Sequence, residues 1–229
     1  MFHRYLHLPF LGIAADVSCF LPVFVGWIWW KNNSRPMRIF LALPTYYLLI
    51  WLPNLYLITH YRNSLWITHI TALLEYSITA FVFSLWCKNR VAGRVIGASI
   101  PIFLIISIIA NVSFEKITSS GTFTVPLEGI LLASAGVYML IELIDEHEIE
   151  LIRDPRFFLS VSVIVYGLGT APFFTIYNSL SMISRDMAFR VAGVNWVLSI
   201  VANALYAIAF VADRASNKPE QQPKVSAES

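Results

Sequence analysis

Charge is scarce in this chain. Asp, Glu, Lys and Arg make up only 13% of its 229 residues against 57% hydrophobic residues, and a mean hydropathy of +0.66 is not that of a water-soluble core. Sixteen Lys and Arg against 14 Asp and Glu leave a net charge of +2. The basic residues are scattered between apolar blocks instead of gathered in a stripe, which argues against nucleic acid as a partner. Two cysteines are too few for a disulfide framework, and neither sits at a metal-ligand spacing. Ten glycines and eleven prolines, with apolar residues in long blocks, exclude a collagen-like or disordered chain. No H-E-x-x-H, no Cys-x-x-Cys and no phosphate-cradling glycine loop is present, and Gly167-Leu168-Gly169 lacks the rest of a dinucleotide fingerprint. Neither a metal nor a cofactor is expected.

What the chain has is apolar length. A helix needs about 20 mostly apolar residues to cross a bilayer, and seven blocks qualify: Phe10–Trp30, Pro36–Thr59, Leu65–Cys87, Gly93–Asn111, Thr124–Leu143, Pro155–Tyr177 and Met187–Ala212. Stretches such as Ile102–Ala110 lack the period-two alternation of a membrane barrel. The expected fold is all-α: a polytopic bundle of seven transmembrane helices over residues 1–213, followed by a disordered polar tail at 214–229. The first apolar run is too long for a signal peptide and is interrupted by Asp16, so the first helix is expected to be retained. Asp154-Pro155 reads as an N-cap with proline at the first helical position, and Thr124 with Pro126 offers a similar start. Pro22, Pro44, Pro53, Pro101 and Pro172 fall inside spans, where bends are expected. Gly93 and Gly97 form a GxxxG pair suited to close helix packing.

Basic flanks set the orientation. Eleven Lys and Arg fall beside the odd-numbered connections and the tail, and five on the opposite side. This places the N-terminus outside and the C-terminus in the cytoplasm of a multi-pass protein.

A charge inside the hydrocarbon costs a few kcal/mol on insertion scales, about 2.5–3.5, so an intramembrane carboxylate marks a candidate site. Glu75 lies about 15 Å from the outer end of the third helix at the standard rise. Thr68, Thr71, Glu75 and Thr79 share one sector of that helix, and Asn195, Ser199 and Tyr206 share a face of the seventh, with Asn203 at its edge. Such residues also serve simply to tie helices together. In the expected orientation most buried polar residues map to the outer half: Asp16 and Asn54, His60 and His69, Glu128, Tyr177 and Asn178, Asp186 and Asn195, with Glu75 deepest. The inner half offers little beyond Glu142. An outward-facing pocket follows, with Asp16, His69, Thr71, Glu75, Asn195, Ser199 and Tyr206 as its candidate ligand-binding residues. Glu128, near a helix start, reads equally as a dipole cap. Trp27, Trp29, Trp30, Trp51 and Trp66 read as an interfacial aromatic belt.

Three segments carry a resemblance: Leu73-Leu74-Glu75-Tyr76; Asp154-Pro155-Arg156-Phe157-Phe158 leading to Tyr166-Gly167-Leu168-Gly169-Thr170; and Asn195-Trp196 followed by Asn203-Ala204-Leu205-Tyr206. They resemble uncharacterised seven-helix integral membrane proteins of Bacteroidota bacteria. The likeness implies seven helices and a bacterial inner membrane, and brings no catalytic residue with it. A retinal protein is excluded, because Met187–Ala212 contains no lysine.

Two functional readings lead. One is a sensor or ligand-binding subunit whose pocket takes a small or hydrophobic molecule and which, with no soluble domain in view, signals through a cytoplasmic partner protein. The alternative is an intramembrane enzyme using Asp16 and Glu75 as a carboxylate pair, with His69, on a hydrophobic substrate. A proton-coupled transporter is disfavoured, since the inner half lacks a polar exit.

Overall fold

Proline has no N–H to offer the carbonyl four residues before it, and this splits the first two spans. In the computed structural model of the chain, α1 (Phe10–Ser18) ends at the residue that Pro22 would have bonded, and α2 (Phe20–Ile28) resumes after Cys19. Likewise α3 (Arg35–Phe40) ends four residues before Pro44, and α4 (Ala42–Thr59) follows Leu41. The remaining helices are α5 (Trp66–Trp86), α6 (Arg90–Ser113), α7 (Thr124–Asp145), α8 (Pro155–Ile183) and α9 (Arg185–Ser216), with a 3-10 turn at Leu151–Arg153. Pro53, Pro101 and Pro172 lie within unbroken helices. The structure describes residues 10–60, 63–118, 121–146 and 151–216, with backbone alone at 58, 177–182, 185, 186, 188 and 189.

Among the described residues the fold is wholly helical, and seven segments are long and apolar enough to cross a membrane, with α1–α2 and α3–α4 each counting as one. Helix α9 continues through Ser216, three residues past the predicted end of the bundle; the rest of the tail lies outside the described residues.

Three helix starts, those of α6, α7 and α8, are capped by polar side chains. Asn89 Oδ1 accepts the amides of Val91 and Ala92 at 2.9 and 3.4 Å to begin α6. Asp154 Oδ1 accepts the Arg156 amide at 2.8 Å to begin α8, as the Asp-Pro pair predicts. At α7 the predicted Thr124 cap is replaced. The carboxylate of Glu115, in the preceding connection, accepts the Phe123 amide at 2.8 Å and also takes the amide and hydroxyl of Thr124.

Helices α7, α8 and α9 pack side by side, α9 also covers α1 and α2, and α5 lies against α3, α6 and α7. The α7–α8 crossing brings backbone to backbone: a Cβ on Gly129 would stand 2.7 Å from the Gly167 carbonyl oxygen, and one on Gly167 2.5 Å from that of Gly129. This is the small-residue packing open to helices in lipid, where apolar side chains gain little by leaving one greasy medium for another. Gly93 of the predicted GxxxG pair plays the same part between α5 and α6, 2.9 Å at its notional Cβ from the Ser84 carbonyl.

Burial is arranged for lipid. Large apolar side chains are exposed on the exterior of every span, including Phe24, Leu49, Phe81, Ile105, Ile141, Leu168 and Val201. The packed apolar core gathers Met37 and Phe40 of α3, Val82 and Phe83 of α5, and Ala209 and Phe210 of α9, together with Phe103, Met139 and Leu159. On α5 this core takes in Tyr76, the residue after Glu75, and then Ala80, Val82 and Phe83, so it forms a floor on the side of Glu75 away from Thr68 and Thr71.

Candidate functional site

Above that floor is a cavity of about 440 Å³, the size of a small-molecule site. Helix α1 contributes Asp16 and the break after it Cys19, α4 contributes Tyr47, Trp51 and Asn54, and α5 contributes Thr68, Thr71 and Glu75. Tyr166 of α8 and Asn195, Trp196, Ser199, Asn203 and Tyr206 of α9 complete it. Ser64 and Leu65 also line it, so the cavity reaches the connection before α5. The helical period accounts for the set: Thr68, Thr71 and Glu75 are spaced three and four apart, and Asn195, Ser199 and Asn203 four and four, so each helix offers one polar stripe to the common space.

A second cavity of about 80 Å³ adjoins the first, and Tyr47, Thr68, Thr71, Glu75 and Tyr166 line both. On its far side stands Glu128 of α7. Glu75 and Glu128 are 7% and 4% exposed and near enough to feel each other's charge. Tyr47 donates to Glu75 Oε2 at 2.5 Å, whereas Glu128 Oε1 has no hydrogen-bond partner among the described residues. A hydrogen bond between Tyr46 and Thr71 at 3.1 Å ties α4 to α5. Asn203 donates to Ser18 Oγ at 2.8 Å and ties α9 to α1 where that helix breaks.

Six of the seven predicted site residues, Asp16, Thr71, Glu75, Asn195, Ser199 and Tyr206, line the large cavity. His69 does not. It is buried, and its Cε1 lies 3.6 Å from the position of a Cβ on Gly121, with Glu115 Oε1 at 3.7 Å from the same point. At 100° per residue His69 is turned about 160° from Thr71, and it faces the connection between α6 and α7. His60 is exposed and stacks on Tyr56 at 4.1 Å. Asn54 lines the large cavity and Glu128 the small one; the side chains of Tyr177, Asn178 and Asp186 lie outside the described residues.

Sequence reasoning placed Trp51 in the aromatic belt, yet it lines the cavity, in edge contact with Phe20 at 6.4 Å. Trp27, Trp30 and Trp66 are exposed. Tyr47, Tyr166 and Trp196 went unnoticed as site residues, although Tyr166 and Trp196 fall within the segments that carry the family resemblance. Glu128 was weighed as a cap. Glu115 caps α7 instead, and Glu128, four residues into the helix, faces Glu75.

The opposite end of the bundle is more polar than Glu142 alone suggests. Arg156 bonds Glu146 through both terminal nitrogens, at 3.0 and 2.8 Å, and Asp154 through Nε and Nη2. Lys88 Nζ lies 3.1 Å from Glu146. The Arg156 hydrogen bonds, aided by Lys88 and opposed by burial, hold the Glu146 carboxyl below its ordinary value. Asp213 accepts the Ser34 amide at 2.6 Å, Glu142 accepts the Asn89 amide at 2.9 Å, and Asn33 donates to the Gly26 carbonyl at 3.1 Å. These groups close loops and cap helices at the rim, and the apolar core separates them from Glu75.

Among the described residues no three His, Cys, Asp or Glu side chains are grouped to hold a metal ion. No protein-family model, no curated protein and no solved structure matches the chain.

Proposed function

We propose that this chain is a ligand-binding subunit of a bacterial inner membrane, a sensor whose polar cavity opens to the outer side and whose occupancy is read by a separate cytoplasmic protein. The observation that carries the reading is the convergence of Asp16, Thr71, Glu75, Asn195, Ser199 and Tyr206, from three separate spans, on one cavity of about 440 Å³. Intramembrane polar side chains are expensive to bury, and here they line a common space above a closed apolar floor. The eleven-to-five bias of Lys and Arg puts that floor on the cytoplasmic side. The same floor speaks against a transporter. Binding would act on helices whose spans are already broken at Cys19 and Leu41, so that α1 and α4 can shift against α9 while α2 and α3 stay packed.

The test is mass spectrometry of small molecules that co-purify with the wild-type protein and with Glu75→Ala. A species held by the wild type and lost from the variant is the expected result. Identical profiles, with both proteins folded, contradict the reading.

A second reading, an intramembrane enzyme acting on a hydrophobic substrate, draws support from the shared small cavity of Glu75 and Glu128. Two adjacent carboxyl groups can donate and recover a proton, and this pair stands beside the expected one of Glu75 with Asp16, which line the large cavity together, whereas His69 lines neither cavity. Full turnover by Glu75→Gln on any substrate that is found would end it.

A further inference from the structure

The cavity walls carry acidic groups and no basic ones among the described residues. Asp16 and Glu75 line the large cavity, Glu75 and Glu128 the small one, and no described Lys, Arg or His lines either. Aromatic rings surround these carboxylates: Tyr47 and Tyr166 face both cavities, and Trp51, Trp196 and Tyr206 face the larger. Glu128 is almost fully buried, and its Oε1 has no donor among the described residues. A buried carboxyl oxygen without a donor is costly, and it faces the space into which Glu75 also points.

Three ligand classes can be weighed against these walls. An anion meets like charge with no cationic residue to offset it. A neutral apolar molecule would displace water from the carboxylates and give nothing back. A cation supplies both what Glu128 Oε1 lacks and what aromatic faces attract, because the negative face of each ring adds to the attraction once water is excluded. We propose that the cavity takes an organic cation, an amine with an apolar body, its ammonium group at Glu75 and Glu128 and its body along Trp51 and Trp196. This rests on the ligand-binding reading above and names the ligand class of that same site. The small cavity beside Glu75, about 80 Å³, has room for an ammonium group, and the larger one leaves room for the body.

The experiment uses full-length protein in nanodiscs of zwitterionic lipid, with equilibrium dialysis and subtraction of empty discs. Hexylamine and phenethylamine are compared with the alcohols and carboxylates of the same carbon skeletons. The amines are expected to bind about tenfold or more tighter than the alcohols, with the carboxylates weakest. Glu75→Gln and Glu128→Gln should each remove most of that preference while leaving alcohol binding in place. Ser199→Trp, which fills the cavity, should abolish binding of every probe. Equal binding of amine and alcohol by the wild type overturns the cation assignment without recourse to any variant. If that equal binding is still blocked by Ser199→Trp, the cavity reading stands and only the ligand class falls. If no probe binds, or Ser199→Trp changes nothing, both fall.

Discussion

Tyr47 and Glu75 meet over 2.5 Å in a buried setting, so removing the phenol takes a donor away from a buried carboxyl group. Tyr47→Phe should lower unfolding stability in detergent by about 1–3 kcal/mol, followed by the loss of far-ultraviolet circular dichroism on heating. Glu75→Gln keeps an oxygen acceptor for Tyr47 and should cost less; a larger loss for Glu75→Gln would refute this account of the pair. At the other end Arg156 serves two acids at once. Arg156→Gln leaves Glu146 only Lys88 and Asp154 only the backbone amide of residue 156, and should cost on the order of 2–3 kcal/mol. Because the Glu146 carboxyl is held below its ordinary value, its contribution is fully present above that ordinary value and is lost as pH falls through the lower, folded-state one. The stability gap between wild type and Glu146→Gln should therefore be widest near neutrality and close in acid below about pH 4. A gap that widens on acidification would reverse the sign and refute it.

Helix elements were more legible than side-chain partners. The seven spans follow from runs of apolar residues, and the breaks at Cys19 and Leu41 fall where Pro22 and Pro44 withhold their N–H. The polar stripes on α5 and α9 were readable because the period of a helix converts spacing into a face. Glu115 and Glu128 were not. Which of two acids caps α7 depends on how the connection before it folds back, and no local pattern records that. His69 was misplaced for a related reason: it is one residue from Thr68, yet a single residue turns a helix by about 100°. The backbone contact between α7 and α8 gives the element its own test. Gly129→Ala sets a methyl group 2.7 Å from the Gly167 carbonyl oxygen, which forces the helices apart, and it should cost about 1–3 kcal/mol. Gly193, with nothing within 4 Å of its notional Cβ, is the control: Gly193→Ala should be neutral or stabilising, and equal losses at both positions would remove close packing as the cause.

For the whole molecule, burial and membrane insertion point the same way. Apolar side chains face outward around the spans, an apolar core seals one end, and the intramembrane carboxylates share hollow space at the other. The proposed orientation makes that space accessible from outside the cell alone. Ser199→Cys, in a chain with Cys19→Ser and Cys87→Ser, puts the only thiol in the cavity wall. A membrane-impermeant thiol reagent added to intact spheroplasts should label it, and the same reagent added to inside-out vesicles should not. Labelling from the cytoplasmic side, or from neither side in a folded protein, would contradict the outward-facing cavity on which the functional account depends.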